Sequence, residues 1–314
     1  MATIYVNATT GNDSYDGSSP NAGGNNAGPK KSIKGGLSAS SSGGTIFIAE
    51  GTYTGDDNKN FTIELNLSIT GAKKETTILD AEDDKPFFKI EQNAVVNIQN
   101  LTFKNGKASG TVHGQDGDSG GAIYNEGTLT VQSCEFLYNS GADGNDKTMT
   151  DKAGHGGDGG AIWNKGTMTM IDCFLKENKG GDGGKGCATK DGNTGGNGGA
   201  ILNDGTLALN NCMLYHNHTG KGGDGASRDS MPGTAGRGGA ICNNGQVTIS
   251  GGEICNNYTN KGGETEFEKN SNGGDAGAIL NKGTMDINNK CNIHNNYTGD
   301  GRDTGIYQQD AGSG

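Results

Sequence analysis

Tyr124 and Trp163 are the residues best suited to meeting a ligand, because they hold equivalent places in successive copies of one motif. Side by side on a surface, two aromatic rings can stack a sugar ring. Their column continues as Leu202, Cys242 and Leu280, which makes an outward apolar strip unless the glycine-rich segments between the copies fold over it. Carboxylates are the next candidates. Asp116, Asp118, Asp158, Asp182 and Asp224 stand in those glycine-rich segments and could offer oxygen ligands to calcium, but they do not follow the regular Gly-Gly-x-Gly-x-Asp nonapeptide. The five histidines (His113, His155, His216, His218, His294) sit in or beside the same segments, with no Ser or Cys nucleophile at a recognisable spacing. Glycoside hydrolysis needs two carboxylates facing each other across the bond. The outward strand positions instead read Thr128/Thr130, Thr167/Thr169, Thr206/Ala208, Gln246/Thr248 and Thr284/Asp286. No catalytic residue is expected. No CxxC or zinc-spaced Cys/His pair occurs, so no metal site is expected and calcium is the one cofactor held open.

These residues are positioned by a repeat. Gly127 recurs as Gly166, Gly205, Gly245 and Gly283, at intervals of 39, 39, 40 and 38 residues. Ile stands four before each glycine (Ile123, Ile162, Ile201, Ile241, Ile279) and Asn two before (Asn125, Asn164, Asn203, Asn243, Asn281). A second Asn stands twelve after (Asn139, Asn178, Asn217, Asn257, Asn295). A fixed period with locked apolar residues is the mark of a stacked-repeat solenoid. Within each copy the apolar residues alternate, as in Leu129 and Val131, which is strand spacing. Each copy therefore predicts three short strands, and three strands bent round one axis make one coil of a parallel β-helix. Successive coils about 4.8 Å apart would stack equivalent residues into ladders, with Ile inward and Asn at the corners. Cys134, Cys173 and Cys212, each seven after its glycine, predict an inward thiol ladder with Leu101 in the equivalent place one coil earlier. Stacked, parallel Cβ vectors suit a disulfide poorly, and seven cysteines leave at least one thiol unpaired in a monomer.

The chain has 60 glycines in 314 residues and a net charge of -11. A solenoid tolerates few large side chains because each coil buries its interior against its neighbours. No basic stripe exists to neutralise phosphates, so nucleic acid is not an expected partner. No run of apolar residues is long enough for a transmembrane helix, and no membrane insertion is expected. Residues 1–44 are expected to cap the helix, with a short helix between Lys30 and Ser41. The β-helix is expected over 45–308, a single domain with a six-residue tail at 309–314. Residues 45–119 form coils without long insertions, and Val95–Phe103 aligns without gaps on Thr128–Phe136. Residues 120–295 hold five full repeats, and Gly305–Gln308 resembles the opening of a sixth. The 19- to 20-residue glycine-rich insertions leave from one corner of each coil. Three forms are open to them: flexible spacers, stacked extended polyglycine-like strands, or calcium loops. The start is not a signal peptide, so a fragment of a longer protein, monomeric, is the expectation.

The Gly-Gly-Ala-Ile block followed by Cys-x-Phe-x-x-Asn resembles the repeats of chlamydial polymorphic membrane proteins. Ile4-Tyr5-Val6-Asn7, Asn12-Asp13-Ser14, Gly51-Thr52-Tyr53 and Asn100-Leu101-Thr102-Phe103 extend the resemblance to adhesin-like surface proteins of methanogenic archaea. The resemblance implies a right-handed parallel β-helix, secretion, display at the cell surface, and binding to an extracellular glycan or another cell's surface. It departs at Ala276, where the other copies carry glycine. Eight Asn-x-Ser/Thr triplets (Asn7, Asn12, Asn60, Asn66, Asn100, Asn217, Asn257, Asn296) fit a secreted protein. The functional expectation is a non-catalytic adhesin-like protein. The alternatives are a polysaccharide lyase or glycosidase of the β-helix class, and a structural stalk.

Overall fold

The computed structural model describes residues 2–110, 116–146, 153–187, 191–266, 270–299 and 306–308. The chain winds as a right-handed parallel β-helix, and among the described residues its coils contribute one strand to each of three all-parallel sheets of nine, eight and eight strands. The first sheet runs from Thr3–Val6 through Thr128–Gln132 to Thr284–Asn288. The second runs from Gly51–Tyr53 through Glu135–Leu137 to Asn292–His294, and the third from Phe61–Ile63 through Ile123–Asn125 to Ile306–Gln308. The last strand lies on Ile279–Asn281, as the opening of a sixth copy would. Thr128–Gln132 pairs with Val95–Gln99 and Phe136 with Phe103, the alignment read from the sequence. Ahead of these coils, Thr3–Val6 extends the first sheet, and the helix Ile33–Ala39 starts where the Ser32 hydroxyl accepts the Gly35 N–H at 3.0 Å.

The period-two pattern explains the interior. Ile123, Ile162, Ile201, Ile241 and Ile279 are fully buried and stack one per coil. Cys134, Cys173 and Cys212 are buried beside Leu101 and unbridged. Burial pushes the Cys134 thiol up; contact with Cys173, together with burial, does the same for Cys212. These thiols act as small apolar fillers.

Two ladders of fully buried asparagine run the length of the repeats. In the first, each side-chain amide donates to the next carbonyl oxygen: Asn125 to Asn164, Asn164 to Asn203 and Asn203 to Asn243 at 2.7 Å, then Asn243 to Asn281 at 2.6 Å. The second joins Asn139, Asn178, Asn217 and Asn257, and its fifth member is Asn296 rather than Asn295. The fifth copy carries one extra corner residue. Asn289 and Lys290 both adopt positive φ, and across this corner the pairing changes from Ser250 with Asn288 to Glu253 with Asn292, one residue further on. Everything after Lys290 is therefore shifted by one: Ile293, not Asn292, pairs with Ile254, and Asn295 is an exposed corner residue with φ 52°. Asn217, Asn257 and Asn296 are fully buried, so three of the eight Asn-x-Ser/Thr triplets offer no amide for glycosylation in the folded chain.

The glycine-rich insertions form ordered rows. Glycine falls at every third residue (Gly141 and Gly144, Gly154 and Gly157, Gly181 and Gly184, Gly220 and Gly223). Three residues per turn is the period of an extended polyproline-type helix, which leaves its amides free to bond neighbours. Backbone bonds zigzag between outgoing and returning limbs: Gly157 N–H to Ala142 O at 2.7 Å, Gly181 to Gly157 and Gly196 to Gly181 at 2.8 Å, Gly220 to Gly196 and Gly236 to Gly220 at 3.0 Å. Bonds between like limbs, Gly141 to Lys179 O and Gly180 to His218 O, join coil to coil. Of the three forms open to these segments, the stacked one is found among the described residues.

Candidate functional site

The outward column of the third sheet reads Thr62, Lys89, Tyr124, Trp163, Leu202, Cys242, Leu280. Leu202, Cys242 and Leu280 are buried with Ala276 in a small cluster that lies outside the coil interior. The glycine-rich rows fold over this end of the strip. Coils before residue 105 lack such rows, so at the step between the two kinds of coil the strip comes out from under its cover. Tyr124 and Trp163 stand half-buried at that step. A cavity of about 310 Å³ opens there, lined by Phe61, Pro86, Lys89, Asp118, Tyr124 and Trp163 among others.

The two rings are held in place. Their centroids are 4.8 Å apart with planes inclined by 33°. Trp163 Nε1 donates to the Asp204 carboxylate at 2.6 Å, and the Tyr124 hydroxyl donates to Glu126. Burial and the Glu126 carboxylate hold the Tyr124 hydroxyl above its usual range, so it remains a donor. The Lys165 ammonium lies 4.0 Å from the Trp163 centroid and 5.4 Å from that of Tyr124, within cation–π range. Lys89, 5.7 Å from the Tyr124 ring, pairs with Glu91 at 2.8 Å and Glu126 at 3.6 Å. Partial burial raises the carboxyl of Asp118, which lines the same cavity. Anchored ring edges spare a ligand the entropy of ordering them.

The other aspartates singled out in the sequence have structural work. Asp116 accepts the His155 N–H at 2.8 Å, Asp158 that of Asn197 at 2.5 Å, Asp182 that of Lys221 at 2.8 Å and Asp224 that of Glu264 at 3.1 Å. Each accepts a peptide N–H from the next coil and so ties one row to its neighbour. His113 lies outside the described residues, and His155 meets Thr194 at 2.6 Å.

Asp158 carries a pH dependence. Burial is the main cause that pushes its carboxyl up, to about 6, with Asp204 adding to it against the opposing bonds from Asn197. A raised carboxyl pKa means the folded state holds the proton more tightly than the unfolded one. Its contribution is therefore greatest below about pH 4 and is lost as pH rises through about 6. The shift corresponds to an upper bound of about 3 kcal/mol. Asn already fills this place one coil on, at Asn197, which accepts the Arg237 N–H at 2.9 Å. Asp158→Asn is expected to stabilise the protein at pH 7 by roughly 1–3 kcal/mol and to flatten the stability profile between about pH 4 and 6. Urea denaturation across that range checks it, and an unchanged slope would contradict it.

One cluster escaped the sequence reading. Glu253, Cys255 and His294 place their ligand atoms within 4.8 Å of one another on the outer face of the second sheet. With Asn295 taken as the ladder residue, His294 would have faced away from Cys255, because a one-residue slip exchanges the two faces of a strand. The extra residue at Lys290 puts His294 directly beside Cys255. The signal in the sequence was Ile293, ten residues after Gly283, where Phe136, Leu175, Leu214 and Ile254 stand nine after their glycines.

No known family pattern matches this chain, and no protein of curated function matches it in sequence. Among solved structures it is similar to a rhamnogalacturonan lyase, at 13% identity and TM-score 0.41 over 92% of this chain and 63% of that one. It is also similar to a pectin methylesterase from Erwinia chrysanthemi, at 12% identity and TM-score 0.40 over 98% of this chain and 88% of that one. For the pectin methylesterase from carrot the values are 12% and 0.39, over 99% and 89%. This chain spans less than two thirds of the lyase's length. Likenesses of this size assign nothing to this chain, and its place among parallel β-helix proteins rests on its own three parallel sheets. Fold by itself assigns no activity.

Proposed function

We propose that this protein is a non-catalytic, adhesin-like β-helix of the cell surface that binds an extracellular glycan in the cleft at Tyr124 and Trp163. The observation that carries this proposal is the uncovering of one anchored aromatic pair where the glycine-rich rows begin, while the rest of the same apolar strip is buried. The pair offers a stacking surface for the C–H face of a sugar. Lys89, Lys165 and Asp118 supply charged partners for its hydroxyls at the rim. The resemblance to archaeal adhesin-like proteins supports the extracellular setting.

A second proposal, a polysaccharide-active enzyme, is favoured by one feature: Asp118 is a carboxyl held above its usual range in the wall of a cleft. Incubation with plant, mucin and microbial polysaccharides, with and without calcium, separates the two if bound protein and newly formed sugar ends are measured together. Binding without new ends is the expected result. New ends that disappear in Asp118→Asn would replace binding with catalysis, and silence in both channels would leave a stalk. For a bound glycan, Trp163→Ala is expected to weaken affinity roughly tenfold, the loss of one stacking partner. Unchanged affinity on a glycan array would remove the cleft from the account.

A further inference from the structure

We propose that Glu253, Cys255 and His294 form a binding site for a divalent ion of the zinc class on the outer face of the second sheet. Glu253 and Cys255 alternate onto that face of the strand Glu253–Cys255, and His294 projects from the adjacent strand in register with Cys255. His294 Nε2 already meets Glu253 Oε1 at 2.8 Å, so two ligands converge before any ion arrives. All three ligand atoms lie within 4.8 Å of one another. A tetrahedral ion with bonds of 2.0–2.3 Å needs its ligands about 3.5 Å apart, a contraction that side-chain rotation can supply. Cys255 is buried at the base, while Glu253 and His294 are half-exposed and leave an approach from solvent.

The donor set selects the ion. One sulfur, one imidazole nitrogen and one carboxylate oxygen suit zinc and its neighbours and do not suit calcium or magnesium, which take oxygen. On binding, the Cys255 thiol forms the metal–sulfur bond and gives its proton to solvent; no electron is transferred. Three protein ligands leave the fourth tetrahedral position to water or an outside ligand.

Cobalt(II) is the probe, because it takes zinc geometry and is coloured. Titrated into chelator-washed protein, it is expected to give a thiolate-to-cobalt charge-transfer band that one equivalent of zinc abolishes. Cys255→Ser is expected to lose the band with an unchanged far-UV circular dichroism spectrum, and Cys291→Ser, at the half-buried corner thiol, to keep it. His294→Ala is expected to weaken zinc affinity by at least roughly tenfold, since losing a mere second-layer partner already costs that much. Added zinc should raise the unfolding midpoint of the natural protein and not that of Cys255→Ser. A protein that gives no thiolate band, or one whose band survives in Cys255→Ser, would overturn the proposal.

Discussion

Asn217→Ala is expected to destabilise the protein by about 3–5 kcal/mol. Asn217 is fully buried. Its Nδ2 donates to Leu175 O and to Asn257 Oδ1, both at 2.9 Å, and its Oδ1 accepts from Asn178 N–H at 3.0 Å and from Asn178 Nδ2 at 2.8 Å. Alanine leaves the Asn178 peptide N–H and one Asn178 amide proton without partners, and the Leu175 carbonyl with its strand pairing alone, in a space water does not reach. Each such group costs about 1–3 kcal/mol. Neighbouring coils share the damage, because a solenoid is held by nearest-neighbour contacts. Asn295→Ala is the control: exposed at a positive-φ corner, it should cost no more than about 1–2 kcal/mol. Chemical denaturation of both variants gives the comparison, and equal losses would contradict the assignment of the ladder to Asn296.

Gly220→Ala is expected to break the glycine rows while leaving the coils wound. A β-carbon on Gly220 would sit 1.7 Å from Gly181 O and 2.6 Å from its carbonyl carbon, and both obstacles are backbone. Gly181 meets Ala142 O at 1.8 Å in the same way. No rotamer relieves such contacts, so the limbs must separate and the bonds from Gly220 to Gly196 and from Gly236 to Gly220 must go. The loss is expected to exceed about 3 kcal/mol, the upper end of ordinary overpacking. Amide hydrogen exchange should show the row glycines deprotected by a hundredfold or more (about 2.7 kcal/mol of lost protection), with the Ile ladder still slow. Rows that exchange at free-peptide rates in the natural protein would mean flexible spacers after all.

The coil was legible in the sequence because period-two alternation and the period of about 39 residues agree with one another, column by column. Ile123 to Ile279 and Asn125 to Asn281 could be assigned to interior and corner from spacing alone. The form of the glycine segments was not, since glycine permits disorder and close stacking equally. What decides between them is a threefold spacing of glycine that brings backbone against backbone, and this becomes meaningful only once neighbouring coils are in place. Asn295 was misassigned because Asn295 and Asn296 stand side by side, and the displacement of Cys291 and Ile293 by one residue is what marks the extra residue at Lys290. That same residue hid the Glu253, Cys255 and His294 cluster. Tyr124 and Trp163 were legible as a pair, but the step that uncovers them depends on which coils carry rows and where each row ends.

Trp163 is the only tryptophan in the chain, so its fluorescence reports on the cleft and on nothing else. The most direct test of the proposed function is a fluorescence titration with each polysaccharide that retains the protein, run beside a colorimetric assay for new sugar ends. A saturable change in Trp163 emission, with no new ends and an affinity weakened in Tyr124→Ala, is the predicted result. Retention of the polysaccharide with Trp163 emission unchanged at saturation would place binding elsewhere and contradict the cleft as the glycan site.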